Sequence, residues 1–81
     1  MVKREGKFKY EIVKRIAVIS ESRDGKYKTE LNLISYNDDK PKYDLRKWDY
    51  TDPNDPKLMR GLTLNSYELA KLKEAIKGVI E

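Results

Sequence analysis

The segment Lys42-Tyr43-Asp44-Leu45-Arg46-Lys47-Trp48-Asp49-Tyr50 concentrates cations and aromatic rings in a stretch suited to a β-strand. Successive side chains of a strand point to opposite faces, so Lys42, Asp44, Arg46, Trp48 and Tyr50 share one face and Tyr43, Leu45 and Lys47 the other. Bases stack on aromatic rings and phosphates pair with cations, and a sheet face offering both suits single-stranded nucleic acid. An indole is also bulky enough for a core or interface position, so Trp48 has two assignments at this point. Tyr36 and Tyr50 likewise fit either ligand contact or an amphipathic strand edge.

Other chemistries are poorly provided for. The chain has no Cys and no His, which removes disulfides, thiolate nucleophiles, the commonest general base and the soft metal ligands. The four glycines form neither a phosphate-cradling loop nor a dinucleotide fingerprint. Asp52, Asn54 and Asp55 resemble an oxygen-ligand calcium loop only superficially, because Pro56 breaks the spacing and no bidentate Glu follows. No enzyme activity, cofactor or metal is expected. No apolar run approaches a membrane span and the first residues lack a signal-peptide core, so the expected location is cytoplasmic, at the nucleoid if the source is bacterial.

The elements that must position the cationic face follow from composition and pattern. With 81 residues, 38% hydrophobic and 40% charged, the chain is one domain with a thin core, a shortage that a dimer would relieve. The net charge of +4 favours polyanionic partners without requiring them. Residues 1–7 read as a mobile basic arm, and 8–81 as the folded domain. Tyr10 to Ser20 is rich in β-branched residues, with apolar residues on both faces, as in a long strand covered at least partly on each side. Asp24-Gly25 predicts a tight hairpin with positive φ at both central positions. In the next strand, Tyr27 to Tyr36, the set Tyr27, Thr29, Leu31 and Leu33 is expected to face the core, leaving Lys28, Glu30, Asn32, Ile34 and Tyr36 on the other face.

Asn37 to Pro41 is turn chemistry, and the third strand is the opening segment. The prolines at 53 and 56 place a loop before a short fourth strand, Leu58 to Leu64. Its Leu58, Leu62 and Leu64 fall on one face, with Gly61 a candidate bulge. Asn65 and Glu68 have capping-box spacing, and Leu69, Leu72, Ile76, Val79 and Ile80 keep a helical period. Gly78 fits either a left-handed C-cap or the last helical turn.

The run Tyr43-Asp44-Leu45-Arg46-Lys47-Trp48, the acidic proline loop, and Arg60-Gly61-Leu62-Thr63-Leu64-Asn65 leading into a helix with Leu69 and Leu72 resemble the transcriptional coactivator family known as positive cofactor four, especially its bacterial YdbC-type members. The resemblance covers roughly Lys28 to Ile80. It implies a homodimer of a curved four-stranded antiparallel sheet with a C-terminal helix, an α+β fold. It also implies binding of single-stranded DNA, or melted duplex, with little sequence preference, in transcription regulation or DNA maintenance. By the same resemblance Arg46 matches the family's strand arginine, Lys40 and Lys42 its preceding cations, Tyr36 its hairpin aromatic, and Trp48 or Tyr50 its stacking tryptophan. The turn at Asn37 to Pro41 is longer and more acidic than the family's, and the eukaryotic Ser-rich regulatory tail has no counterpart.

Together these readings give a candidate nucleic-acid-binding set of Lys26, Lys28, Asn32, Tyr36, Lys40, Lys42, Arg46, Trp48, Tyr50, Lys57 and Arg60. The candidate dimer interface is Leu69, Leu72, Ile76 and Val79. Expected partners are single-stranded DNA, a second copy of the chain and the transcription machinery, without a membrane. The alternatives are a single-stranded RNA chaperone and a protein–protein adaptor.

Overall fold

A computed structural model describes residues 9–80; the predicted arm at 1–7 lies outside the described residues. Four strands, β1 (Tyr10–Glu21), β2 (Tyr27–Tyr36), β3 (Lys42–Asp49) and β4 (Lys57–Leu64), form one antiparallel sheet in chain order, and α1 (Ser66–Lys77) follows. This is the expected α+β architecture. Among the described residues no helix is long and apolar enough to cross a membrane.

The pair of positive-φ residues expected at the first turn occurs at the second. At the first, Gly25 N–H donates to Ser22 O (2.9 Å) and only Gly25 has positive φ (76°), so Asp24 stays in an ordinary conformation. Asp24 instead accepts from Ser22 Oγ (2.7 Å) and the Lys26 N–H (3.0 Å), bonds that hold its carboxyl below the usual range. Positive φ at two successive residues occurs at Asn37 (51°) and Asp38 (66°), closed by Asp39 N–H to Tyr36 O (2.9 Å). Short polar side chains tolerate that region. Asn37 also clamps the start of β1, exchanging bonds with the Lys9 backbone at 2.8 and 3.0 Å.

The core lies on the face opposite to the one expected. Buried residues are Ile34, Trp48, Glu30, Asn32 and Asp44, all on the non-helical face, whereas Leu31 and Leu33 are only half-buried. Curl explains this. Tyr10 pairs with Tyr36 and Trp48 with Lys28, at opposite ends of β2 and about 26 Å apart along a flat strand. Yet the Tyr10 and Trp48 rings lie 5.7 Å apart, so the sheet wraps its polar face inward. Three register shifts in β1, which let twelve residues pair along a shorter stretch of β2, supply extra twist. β1 is consequently an edge strand exposed from Val13 to Glu21, not a strand covered on both faces.

A further shift between Arg46 and Trp48 places the bulge in β4 beside Gly61. It switches the alternation, so Leu58 pairs with Trp48 on the inner face while Leu62 and Leu64 pair with Leu45 and Tyr43 on the helix side. The three leucines therefore do not share a face. Gly61 is required by close approach: a Cβ there would lie 1.9 Å from Arg46 Cβ.

The capping box forms as its spacing predicts, with Glu68 N–H to Asn65 Oδ1 (2.8 Å) and Asn65 N–H to Glu68 Oε1 (2.9 Å). Gly78 caps the helix in a right-handed conformation (φ −78°), leaving Val79 and Ile80 beyond the last turn. No residue of α1 is fully buried. Between helix and sheet lies a groove of about 480 Å³, lined chiefly by Ile19, Leu31, Leu45, Leu64, Leu72 and Ile76.

Candidate nucleic-acid interface

Cross-strand pairing brings Lys28, Glu30, Asn32 and Ile34 of β2 opposite Trp48, Arg46, Asp44 and Lys42 of β3. Directly opposed residues of an antiparallel pair point the same way, so these side chains share the face away from α1. Tyr50 follows the end of β3 and is held there by its N–H to Lys26 O (2.6 Å).

Two buried carboxylates organise this face, and neither was in the candidate set. Asp44 accepts from Arg46 Nε (2.7 Å) and Nη2 (2.8 Å) and from the Tyr36 hydroxyl (2.6 Å). Glu30 accepts from the Tyr50 hydroxyl (2.6 Å), from Asn32 Nδ2 (2.9 Å) and, at 3.4 Å, from Arg15 Nη1. Each carboxylate thus holds one arginine and one tyrosine. A buried carboxylate is tolerated only when paired and hydrogen-bonded, a condition both meet. The pattern was available in sequence: Asp44 and Arg46, two apart on a strand, must lie on the same face.

This arrangement changes several assignments. Arg46 is not a free phosphate ligand, because its fork is engaged by Asp44 and its Nη1 donates to Met59 O (2.9 Å). The bonds it donates to the Asp44 carboxylate raise its pKa further and keep it charged. Asn32 is 1% exposed and bonded to Glu30, so it supports the face from beneath without reaching a ligand. Trp48 is also 1% exposed, so its ring is not presented for stacking in this conformation; the inward curl and the tilted Tyr10 ring help enclose it.

What remains accessible is a pair of tethered tyrosines flanked by cations. Lys28 Nζ lies 4.8 Å from the Tyr50 ring centroid, and the Arg46 guanidinium carbon 6.0 Å from that of Tyr36. Lys26, Lys40, Lys42, Lys57 and Arg60 are exposed. Lys40 lies in the loop before β3, not on the strand, and Lys57, the first residue of β4, is paired with Asp55 of the preceding loop (2.8 Å), which raises its pKa. Leu69, Leu72, Ile76 and Val79 lie on the opposite side of the molecule, with Leu72 36%, Ile76 44% and Val79 80% exposed.

Burial raises the Tyr36 pKa, reinforced by the hydrogen bond to Asp44; burial and the bond to Glu30 raise that of Tyr50. Both hydroxyls therefore stabilise the fold fully below the ordinary tyrosine value near 10, and this contribution is lost as pH rises beyond it toward the folded values. Tyrosinate absorbance during alkaline titration is expected to show a late fraction that appears together with unfolding. Six tyrosines ionising as one group near pH 10 would contradict the tethering.

No family model matches the chain. It is similar to an uncharacterized protein of Treponema pallidum, with 32% identity over 72 residues that cover 89% of this chain and 80% of that protein. The chain belongs to the same family as that protein.

Proposed function

We propose that the protein binds single-stranded DNA, or melted duplex, with little sequence preference on the sheet face opposite α1, and serves transcription regulation or DNA maintenance as a homodimer. The observation that supports this reading most directly is the pair of tethered tyrosines with cations beside their rings. A ring fixed by its hydroxyl has less freedom to lose when a base stacks on it. Arg15 and Arg46 balance Glu30 and Asp44, so the lysines together with Arg60 supply the positive charge that draws a polyanion. Because both carboxylates are buried, they cannot read base edges, which favours sequence tolerance.

Titration of a labelled oligothymidine strand over a series of salt concentrations tests the reading. Lys28→Ala or Lys42→Ala is expected to flatten the log-affinity against log-salt line by about 0.7 for each lost phosphate contact. Tyr50→Ala is expected to cost about 1–3 kcal/mol of binding with little change in slope. No binding at low salt would refute the function, and preference for a matched RNA strand would favour the RNA chaperone.

The second copy belongs on the helix side. Exposed Leu72, Ile76 and Ile80 border the apolar groove, and the radius of gyration is 14.6 Å against about 12 Å for a compact chain of this length. Reciprocal packing of these faces would complete the missing apolar layer. Sedimentation is expected to give twice the 9.6 kDa chain mass, and Ile76→Glu to shift it toward monomer. A parent that stays monomeric at micromolar concentration would remove the dimer.

A further inference from the structure

On the helix side of the sheet, directly paired residues form rows across the strands. The row Ala17–Leu31–Leu45 is apolar, and its two leucines line the groove beside α1. The next row toward the first hairpin is Ser20–Thr29–Lys47, two hydroxyls and an ammonium side by side. These three residues border a cavity of about 250 Å³ that no residue of α1 lines. Lys47 Nζ lies 5.3 Å from the centroid of the Tyr27 ring, so this end of the helix side carries a ring with a cation over it. Lys28 and Tyr50 form the same kind of unit on the inner face, at 4.8 Å, and because Tyr27 and Lys28 are consecutive in a strand the two units stand back to back. Lys28 also lines the cavity, with Glu21 and Ser22, so the opening is reached from both faces around the end of the edge strand β1. Two lysines there outweigh one glutamate.

We infer that Ser20, Thr29 and Lys47 form a phosphate-binding site on the helix side, which takes a backbone phosphate of a single strand that continues past Tyr50 and Lys28 and round the end of β1. The inference rests on the proposed nucleic-acid reading and extends the bound length beyond the inner face. Two hydroxyls and an ammonium can all donate, and a phosphodiester accepts from them whatever base it carries, so the site adds affinity without adding sequence preference. Attraction to the Tyr27 ring restricts the range of the Lys47 ammonium, so less freedom is lost when a phosphate arrives. Ser20 and Lys47 are exposed and Thr29 is half-buried, which leaves the row open to a ligand.

Strand length separates the two faces. The experiment titrates the full chain with labelled oligothymidines of about four to about sixteen nucleotides, the range of site sizes of small single-strand-binding domains. The shortest strands occupy the inner face alone, so Lys47→Ala should match the parent on them. On the longest it should bind about tenfold more weakly and flatten the log-affinity against log-salt line by about 0.7. Thr29→Val, which keeps a β-branched shape but removes the hydroxyl, should lose about two- to tenfold on the longest strands with an unchanged slope. A Lys47→Ala protein that equals the parent at every length, or falls behind it equally at every length, would overturn the inference and leave the proposed function standing. A Thr29→Val protein that binds the longest strands as the parent does would also overturn it, since Lys47 would then act only as a distant charge. Urea midpoints show that each variant is folded, and if one is not, the other decides. Complete absence of binding by the parent would overturn the functional reading and this inference with it.

Discussion

Asp44→Ala is expected to lower folding stability by about 2–4 kcal/mol, because it strips a half-buried guanidinium of its partner and leaves the Tyr36 hydroxyl without an acceptor. Asp44 is fully buried, and the Arg46 side chain is 15% exposed, so water cannot readily replace the lost bonds. Arg46→Ala should cost a similar amount by leaving the carboxylate unpaired. Replacing both residues by leucine should recover much of the loss, since well-packed apolar side chains often match a buried ion pair in stability. Urea unfolding provides the measurement, with a lowered midpoint and an unchanged slope marking a true stability change. A loss below about 1 kcal/mol in Asp44→Ala would mean that Arg46 is not held structurally and remains available to phosphate.

Gly61→Val should be comparably damaging for a different reason. The first added carbon would already lie 1.9 Å from Arg46 Cβ and 2.6 Å from both Arg46 Cα and Leu45 O. Backbone atoms cannot rotate away, so β4 must separate from β3 or the bulge must be rebuilt. Overpacking of this kind costs about 1–3 kcal/mol and sometimes more. Because Met59 O accepts from Arg46 across the same bulge, the substitution should also disturb the Arg46–Asp44 pair. Unfolding of the variant at the parent's urea midpoint would show that the approach of these strands is dispensable.

The elements were legible wherever a local rule determines them. β2 occupies the expected Tyr27–Tyr36, and Asn65 with Glu68 closes the predicted box, because alternation and capping need only nearby residues. The sharing of one face by Lys28, Asn32, Lys42, Arg46 and Trp48 was equally accessible. Which face becomes interior was not. That depends on sheet curl, produced by register shifts between strands, and hydrophobicity along β2 points the other way through Leu31 and Leu33. The parity error at Leu58 has the same origin, since one extra residue in β4 moves every preceding side chain to the other face. Arg46 was legible as a cation on the right face but not as a partner of Asp44, because charge counting treats each arginine as free. Asp44 shares that face by simple alternation but is absent from the candidate set, although its two-residue spacing from Arg46 predicts the contact.

The order of the strands in the sheet is the order in which the chain supplies them. Every strand pairing therefore joins immediate neighbours through a short reversal, and no stage of assembly requires distant parts of the polypeptide to find each other. Loop-closure entropy stays small throughout, and folding can proceed by addition of one hairpin arm at a time. The turn at Ser22–Gly25 and the turn at Asn37–Asp38 are then natural starting points, because each brings its flanking strands into register from nearby residues alone. On a ribosome, the first three strands and both buried carboxylates would be available for pairing before the helix emerged, so the polar interior could take shape ahead of the apolar surface that α1 completes.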